Sequence, residues 1–144
     1  MTCKEITRLR RVHLILGLLG VVAFLGSGLY MHYQYQHFAV PEAYGGNEAL
    51  RFMFRANHIY LLMASLVNLT IAVYFRESTH AYARWIGRIG SALVLVSPIL
   101  LGVAFFVEVP DATPDRTLTR YGVIVLAVGV LAHLPSYRSA VRDA

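Results

Sequence analysis

The chain has 144 residues, of which 57% are hydrophobic and only 15% are charged. A soluble domain of this length carries fewer apolar and more charged residues, so the composition excludes an ordinary soluble enzyme or binding module and indicates a membrane protein. The net charge of +5 is distributed over segments that flank apolar stretches, so it is not a sign of nucleic-acid binding.

Four apolar stretches follow one another along the chain. A helix of about 20 residues crosses a hydrocarbon core of about 30 Å. The first three stretches reach that length, whereas the fourth does so only if Arg120 and Arg138 place their charges among the lipid headgroups. We predict an all-α fold, a four-helix bundle that forms a single four-span transmembrane domain over residues 1–144, with spans at about 12–31, 54–75, 88–109 and 119–136.

The basic residues predict the orientation of these spans. If both termini are cytoplasmic, the inner segments hold nine of the 13 Lys and Arg residues and the outer segments hold four. Positive charge is retained on the cytoplasmic side, so this orientation is favoured, and small size with this bias favours a bacterial inner membrane. The inner residues are Lys4, Arg8, Arg10, Arg11, Arg76, Arg84, Arg88, Arg138 and Arg142, and the outer ones are Arg51, Arg55, Arg116 and Arg120.

The first outer segment, residues 32–53, and the start of the second span together predict a candidate metal site. His32, His37 and His58 are ligand types suited to zinc or divalent copper. The spacing of His32 and His37 does not match the interval of three or four residues that places two ligands on one helix face. The alternative interpretation is that these histidines lie at the membrane interface and form hydrogen bonds only.

The second span carries a polar stripe near one helix face. One interpretation is a ligand or partner surface that opens outward between helices, since polar groups within a bilayer face protein or water. The other is that Ser65 and Asn68 form hydrogen bonds with a neighbouring helix. The stripe consists of Arg51, Arg55, His58, Ser65 and Asn68.

The third span contains Pro98 directly after Ser97. Proline removes a backbone donor, so we expect a kink in which a nearby hydroxyl group compensates locally. Glycines in the first, third and fourth spans predict close helix contacts in a compact bundle.

A histidine pair at the inner face predicts an alternative cofactor site. His13 and His133 each lie on a glycine-lined helix face, an arrangement that could hold a b-type haem with two axial histidines. Both residues are near the membrane surface, so such a haem would lie shallow. The alternative is tight packing between the first and fourth helices.

The sequence contains no phosphate-binding loop, nucleophile elbow or zinc-protease motif, so catalysis is not supported. We expect a small non-catalytic membrane protein, an accessory or interaction subunit with an outward-facing polar surface. Its partners would be the lipid bilayer and either other membrane subunits or further copies of itself. The alternatives are an electron-transfer protein that carries haem b and a carrier for a metal or small solute.

Overall fold

The protein is described by a computed structural model that covers residues 3–37, 48–75, 78, 80–108 and 116–142. Side chains are described over 6–33, 52–75, 78, 80–108 and 116–135. Residues 38–47 of the first predicted outer segment lie outside the described residues, as do the side chains of His37, Arg51 and Arg138.

Four helices account for the secondary structure of the described ranges, in which no strand occurs. Each helix is long and apolar enough to cross a membrane, which confirms the prediction of an all-helical chain with four membrane-length helices. The helices are α1 (Cys3–His37), α2 (Glu48–Tyr74), α3 (Ala81–Val107) and α4 (Thr117–Arg142).

The helices extend beyond the apolar stretches from which they were predicted. Helix α1 has 35 residues, a length of about 52 Å, which exceeds the hydrocarbon thickness. Helix α4 begins at Thr117 and continues through Pro135, and its membrane-length portion covers 19 residues, Thr117–Pro135. The apolar run underestimates this helix because backbone hydrogen bonds extend it through polar residues at its start.

The helices pack as two antiparallel hairpins, α1 with α2 and α3 with α4, and α2 joins them through α3. Arg10 near the start of α1 contacts Ala72 near the end of α2, and Ser91 near the start of α3 contacts His133 late in α4. The start of α1 and the end of α4 therefore share one end of the bundle, here called the terminal end. The opposite end, where α1 ends and α4 begins, is called the far end.

The bundle has a small interior and a largely apolar exterior. Val94, Leu101 and Ala64 are fully buried, and Leu126 packs against them. Many large apolar side chains are exposed, for example Leu29 on α1 at 72%. This distribution suits a protein whose outer surface contacts lipid, because lipid tails and apolar side chains are equally apolar.

Two glycines permit close helix contact. A Cβ atom at Gly20 on α1 would overlap the Ser65 hydroxyl of α2, and one at Gly90 on α3 would lie 2.8 Å from the Gly129 carbonyl oxygen of α4. The glycine face of α1 thus packs against α2, and the glycine face of α4 packs against α3. The expectation of tight packing between the first and fourth helices is wrong, because each of them uses its small residues on its own hairpin partner.

Helix α3 contains Pro98, as predicted, but its neighbouring hydroxyl has a different role. Ser97 Oγ donates a 3.0 Å hydrogen bond to the Gly122 carbonyl oxygen of α4. Ser97 therefore does not compensate within α3 for the backbone donor that Pro98 lacks. It links two helices instead, because Gly122 allows their backbones to approach closely.

Candidate functional site

The polar stripe predicted on α2 divides into buried and accessible residues. Ser65 and Asn68 are fully buried, and Ser65 Oγ donates a 2.6 Å hydrogen bond to Leu61 O in its own helix. His58 is partly buried and Arg55 is exposed. Arg55 and, to a lesser extent, His58 are therefore the members whose described side chains can reach an outside ligand or partner.

Asn68 determines the tautomer of the neutral His13 ring, that is, which ring nitrogen carries the hydrogen. Its amide nitrogen donates to Ala64 O at 2.9 Å and to Val94 O at 3.2 Å, so its amide oxygen must face the His13 Nδ1 atom, 2.7 Å away. An amide oxygen only accepts hydrogen bonds, so the neutral His13 ring carries its hydrogen on Nδ1. The Nε2 lone pair is then buried and has no partner within the described ranges of the chain.

His133, the second histidine of the haem alternative, already contacts other side chains of the protein. His133 Nε2 lies 3.2 Å from Ser91 Oγ, and the His133 ring meets Phe75 edge-on at 5.7 Å between centroids. His13 lies near the start of α1, and His133 lies late in α4. The structure thus places both histidines at the terminal end, on helices that each pack on a different partner.

His58 has a different environment near the far end. Its ring stacks on Phe24 with a centroid separation of 3.9 Å and an interplanar angle of 21°. Ser27 Oγ donates its single hydrogen to Phe24 O at 2.9 Å, so it accepts from His58 Nδ1 at 2.8 Å. The ring is thereby held between α1 and α2 by one stacking contact and one hydrogen bond.

The predicted metal site is only partly within the described residues. His32 is exposed at the end of the first span, and the side chain of His37 lies outside the described set. Where side chains are described, no three His, Cys, Asp or Glu residues are close enough to hold a metal ion. A site formed by His32, His37 and His58 stays a prediction.

The far end contains a polar cluster that was not predicted from the sequence, formed by Asn57, Glu108, Arg116 and Thr119. The Glu108 carboxylate accepts hydrogen bonds from the backbone nitrogens of Leu118 and Thr119, the latter at 3.0 Å, and lies 2.7 Å from Thr119 Oγ1. The first turn of a helix presents unpaired N–H groups and the positive end of the helix dipole. Glu108, at the end of α3, therefore caps α4.

The same cluster attaches α4 to α2. The Asn57 amide oxygen accepts a hydrogen bond from Arg116 Nη2 and lies 3.1 Å from Thr119 Oγ1. Asn57 Nδ2 and Arg116 Nε are buried and have no acceptor among the described atoms. Among the described residues, the cluster therefore has more donors than acceptors.

A cavity of about 280 Å³ opens beside this cluster, between α2 and the first two turns of α4. Polar side chains line its wall nearest the start of α4, and apolar side chains line the wall a turn further along that helix. The lining residues are Tyr60, Arg116, Thr119, Arg120, Val123 and Ile124. This cavity, with the adjoining cluster, is the candidate functional site.

The sequence carried only a weak signal for this site. Glu108 stands out as an acidic residue at the end of a span, but Asn57 is next to His58 and falls about 100° away from it around the helix. Arg116 and Thr119 precede the apolar run from which the fourth span was predicted. Their convergence depends on how α2, α3 and α4 cross.

Comparison of the chain with protein-family models, with curated proteins and with solved structures found no match. The candidate site therefore rests on the geometry of its residues.

Proposed function

We propose that this chain is a small non-catalytic integral membrane protein, an accessory or interaction subunit whose far end contacts a ligand or another subunit. The observation that supports it is the far-end cluster, in which three helices are joined around polar groups beside an open cavity. Arg55 is exposed on the same end and enlarges the polar surface. The small extramembrane surface suits a protein that acts by contact with partners.

The proposal includes an orientation in which both termini are cytoplasmic and the far end faces outward across a bacterial inner membrane. Excess Lys and Arg in the inner segments support it. Fusions of a reporter that is active only in the cytoplasm to either terminus should be active. The same reporter inserted at Gly45, between α1 and α2, should be inactive. The opposite result at these positions would reverse the orientation.

Co-purification in mild detergent tests the accessory role. Wild-type protein should elute as a defined complex with another membrane protein or with further copies of itself. Arg55→Glu should weaken that complex, whereas Arg11→Glu, which changes an exposed arginine at the terminal end, should leave it intact. A strictly monomeric wild-type chain that carries no partner, lipid or cofactor would contradict the proposal.

A haem-binding electron-transfer protein is the second candidate, because the buried His13 ring presents an unpartnered Nε2 lone pair. Histidine ligands of metals commonly donate their other N–H to an oxygen, as His13 does to Asn68. His13 and His133 would hold the haem, and the group would supply one-electron transfer when bound. His13 fits this role, whereas His133 would have to exchange its contact with Ser91.

A visible spectrum of protein from cells supplied with haem tests this candidate. A Soret band that His13→Ala abolishes and His80→Ala preserves would support it, since His80 is an exposed histidine at the same end. Protein that is folded but has no Soret band would eliminate it. This result would leave the accessory role untouched.

A further inference from the structure

The lining of the far-end cavity changes from polar to apolar along α4. Arg116, Thr119 and Arg120 lie in or directly before the first turn of the helix, where the headgroup region is expected. Val123 and Ile124 lie one turn further along, about 5 Å deeper at 1.5 Å per residue. A ligand that fills this cavity therefore meets cations and a hydroxyl at its shallow end and apolar groups at its deep end.

The charge of the site favours an anion. Glu108 is the only acidic residue among the described side chains, and its two carboxylate oxygens are used by the first turn of α4. Arg116 and Arg120 place two positive charges at the cavity wall. Arginine binds phosphate oxygens strongly because its planar group offers several donors.

The polar wall of the cavity offers donors to the same class of ligand. Arg116 lines the cavity and donates to Asn57 through one of its nitrogens. A guanidinium group has five N–H donors, so Arg116 can bond to Asn57 and still present donors to the cavity. A phosphate group provides acceptor oxygens and negative charge, and both complement the site.

The deep end of the cavity shows where such a phosphate would come from. Ile124 lines the cavity and is 49% exposed on the outer surface of the bundle. In a membrane, that surface faces lipid, so a molecule in the cavity can extend sideways into the bilayer. An acyl chain fits this opening, whereas a free phosphate ion would leave it unfilled.

We propose that the far-end cavity binds the headgroup phosphate of an anionic phospholipid, with an acyl chain along Val123 and Ile124. The proposal deepens the proposed function, since it rests on the far end being a binding surface and names the ligand class. Arg116 and Arg120 hold the phosphate, and Thr119 lies beside it. The cavity volume is several times the roughly 30 Å³ that a water molecule occupies in the liquid, which accommodates a phosphate and a short length of chain.

Native mass spectrometry of the purified full chain in detergent tests this proposal with phosphatidylglycerol, phosphatidylcholine and inorganic phosphate as separate probes. One phosphatidylglycerol should be retained at least about fivefold more strongly than phosphatidylcholine, the factor that corresponds to roughly 1 kcal/mol for one basic contact. Arg120→Gln should reduce this retention about fivefold, and Arg11→Gln should not. Equal retention of the two lipids would overturn the proposal.

A matched pair of substitutions tests the apolar end of the cavity. Ile124 and Val128 lie one turn apart on α4 and are each 49% exposed, but only Ile124 is among the cavity-lining residues. Ile124→Trp should block lipid retention, and Val128→Trp should preserve it. Circular dichroism and elution volume identify variants that fail to fold, and Arg120→Gln, at an exposed position, tests the site without altering the interior.

Three further outcomes separate the possible sources of phosphate and distinguish the lipid site from the accessory role. If inorganic phosphate alone binds as tightly as the lipid and displaces it, the site is a free-anion site and the lipid assignment is overturned. If Arg120→Gln loses lipid but keeps the co-purifying partner, the lipid site is supported and acts separately from partner contact. If the partner is absent from wild type while lipid selectivity persists, the accessory role fails and the lipid site stands.

Discussion

The two ends of the bundle use the same device, a polar side chain bonded to the backbone of another helix, with different consequences. At the terminal end, Arg10 donates to the carbonyl oxygens of Ala72 and Val73 at 2.8 and 3.1 Å, where α2 ends. At the far end, Glu108 accepts from the backbone nitrogens at the start of α4. Each charge has the sign that complements the helix terminus it contacts.

The difference between the two ends lies in burial. Arg10 is exposed, so water competes with its contacts, whereas Glu108 is only 8% exposed and depends on protein donors. Buried polar side chains described at the terminal end include Asn68 and Ser91, which carry no charge. The one acidic residue among the described side chains is thus buried where a helix N-terminus can stabilise it, and there the bundle also has its cavity.

The largest expected effect is at Glu108. Glu108→Ala should lower the free energy of unfolding by about 3 kcal/mol, because it removes a charged acceptor from several buried donors. Glu108→Gln should lose less, since its amide oxygen still accepts. Unfolding in mixed detergent micelles, followed by circular dichroism, measures both. A loss below about 0.5 kcal/mol for Glu108→Ala would show that the far-end cap is not a stabilising feature.

Two glycines of α3 allow the closeness of helix packing to be compared between the two ends. A Cβ at Gly90, near the terminal end, would lie 2.8 Å from the Gly129 carbonyl oxygen, whereas one at Gly102, nearer the far end, has no atom within 4 Å. Gly90→Ala should therefore destabilise the protein by about 2 kcal/mol through overpacking. Gly102→Ala should leave it unchanged or up to about 1 kcal/mol more stable, because alanine favours helix. Equal effects in the same unfolding assay would contradict the close α3–α4 contact.

The buried amide of the terminal end should have an intermediate effect. Asn68→Leu leaves the His13 Nδ1–H group without its acceptor and should cost about 1.5 kcal/mol. Thr70→Val is the matched control on α2, since Thr70 is exposed and its hydroxyl bonds only to Leu66 O of its own helix. The unfolding free energies of the two variants should differ by about 1 kcal/mol. If they agree, Asn68 does not join α1 to α2.

The smallest effect is expected at Arg10. Arg10→Gln should cost about 0.5 kcal/mol at low salt and less at high salt, because an exposed cation near a helix C-terminus is screened. Arg11→Gln, at the neighbouring exposed position, provides the control for the loss of one charge. An effect of Arg10→Gln as large as that of Glu108→Ala would remove the distinction between the two ends.

The helices of this protein are easier to predict from the sequence than the contacts between them. The four helices were predicted from apolar length, and His13 and Asn68 were both singled out, but on separate grounds. Their hydrogen bond was not predicted, because it requires the register of α1 against α2 that Gly20 and Ser65 set. Asn57 was missed because it lies off the polar stripe and gains its role only through α4.

The sequence by itself determined that the chain is helical, how many helices can cross a membrane and where they lie, because these properties depend on local hydrophobic length. It also determined which residue types would need partners within the bilayer. Only the tertiary structure decided which partner each one has: His13 with Asn68, Ser97 with Gly122, and Glu108 with the start of α4. Such pairings depend on the rotation and crossing of whole helices, which adjacent residues along one helix do not specify.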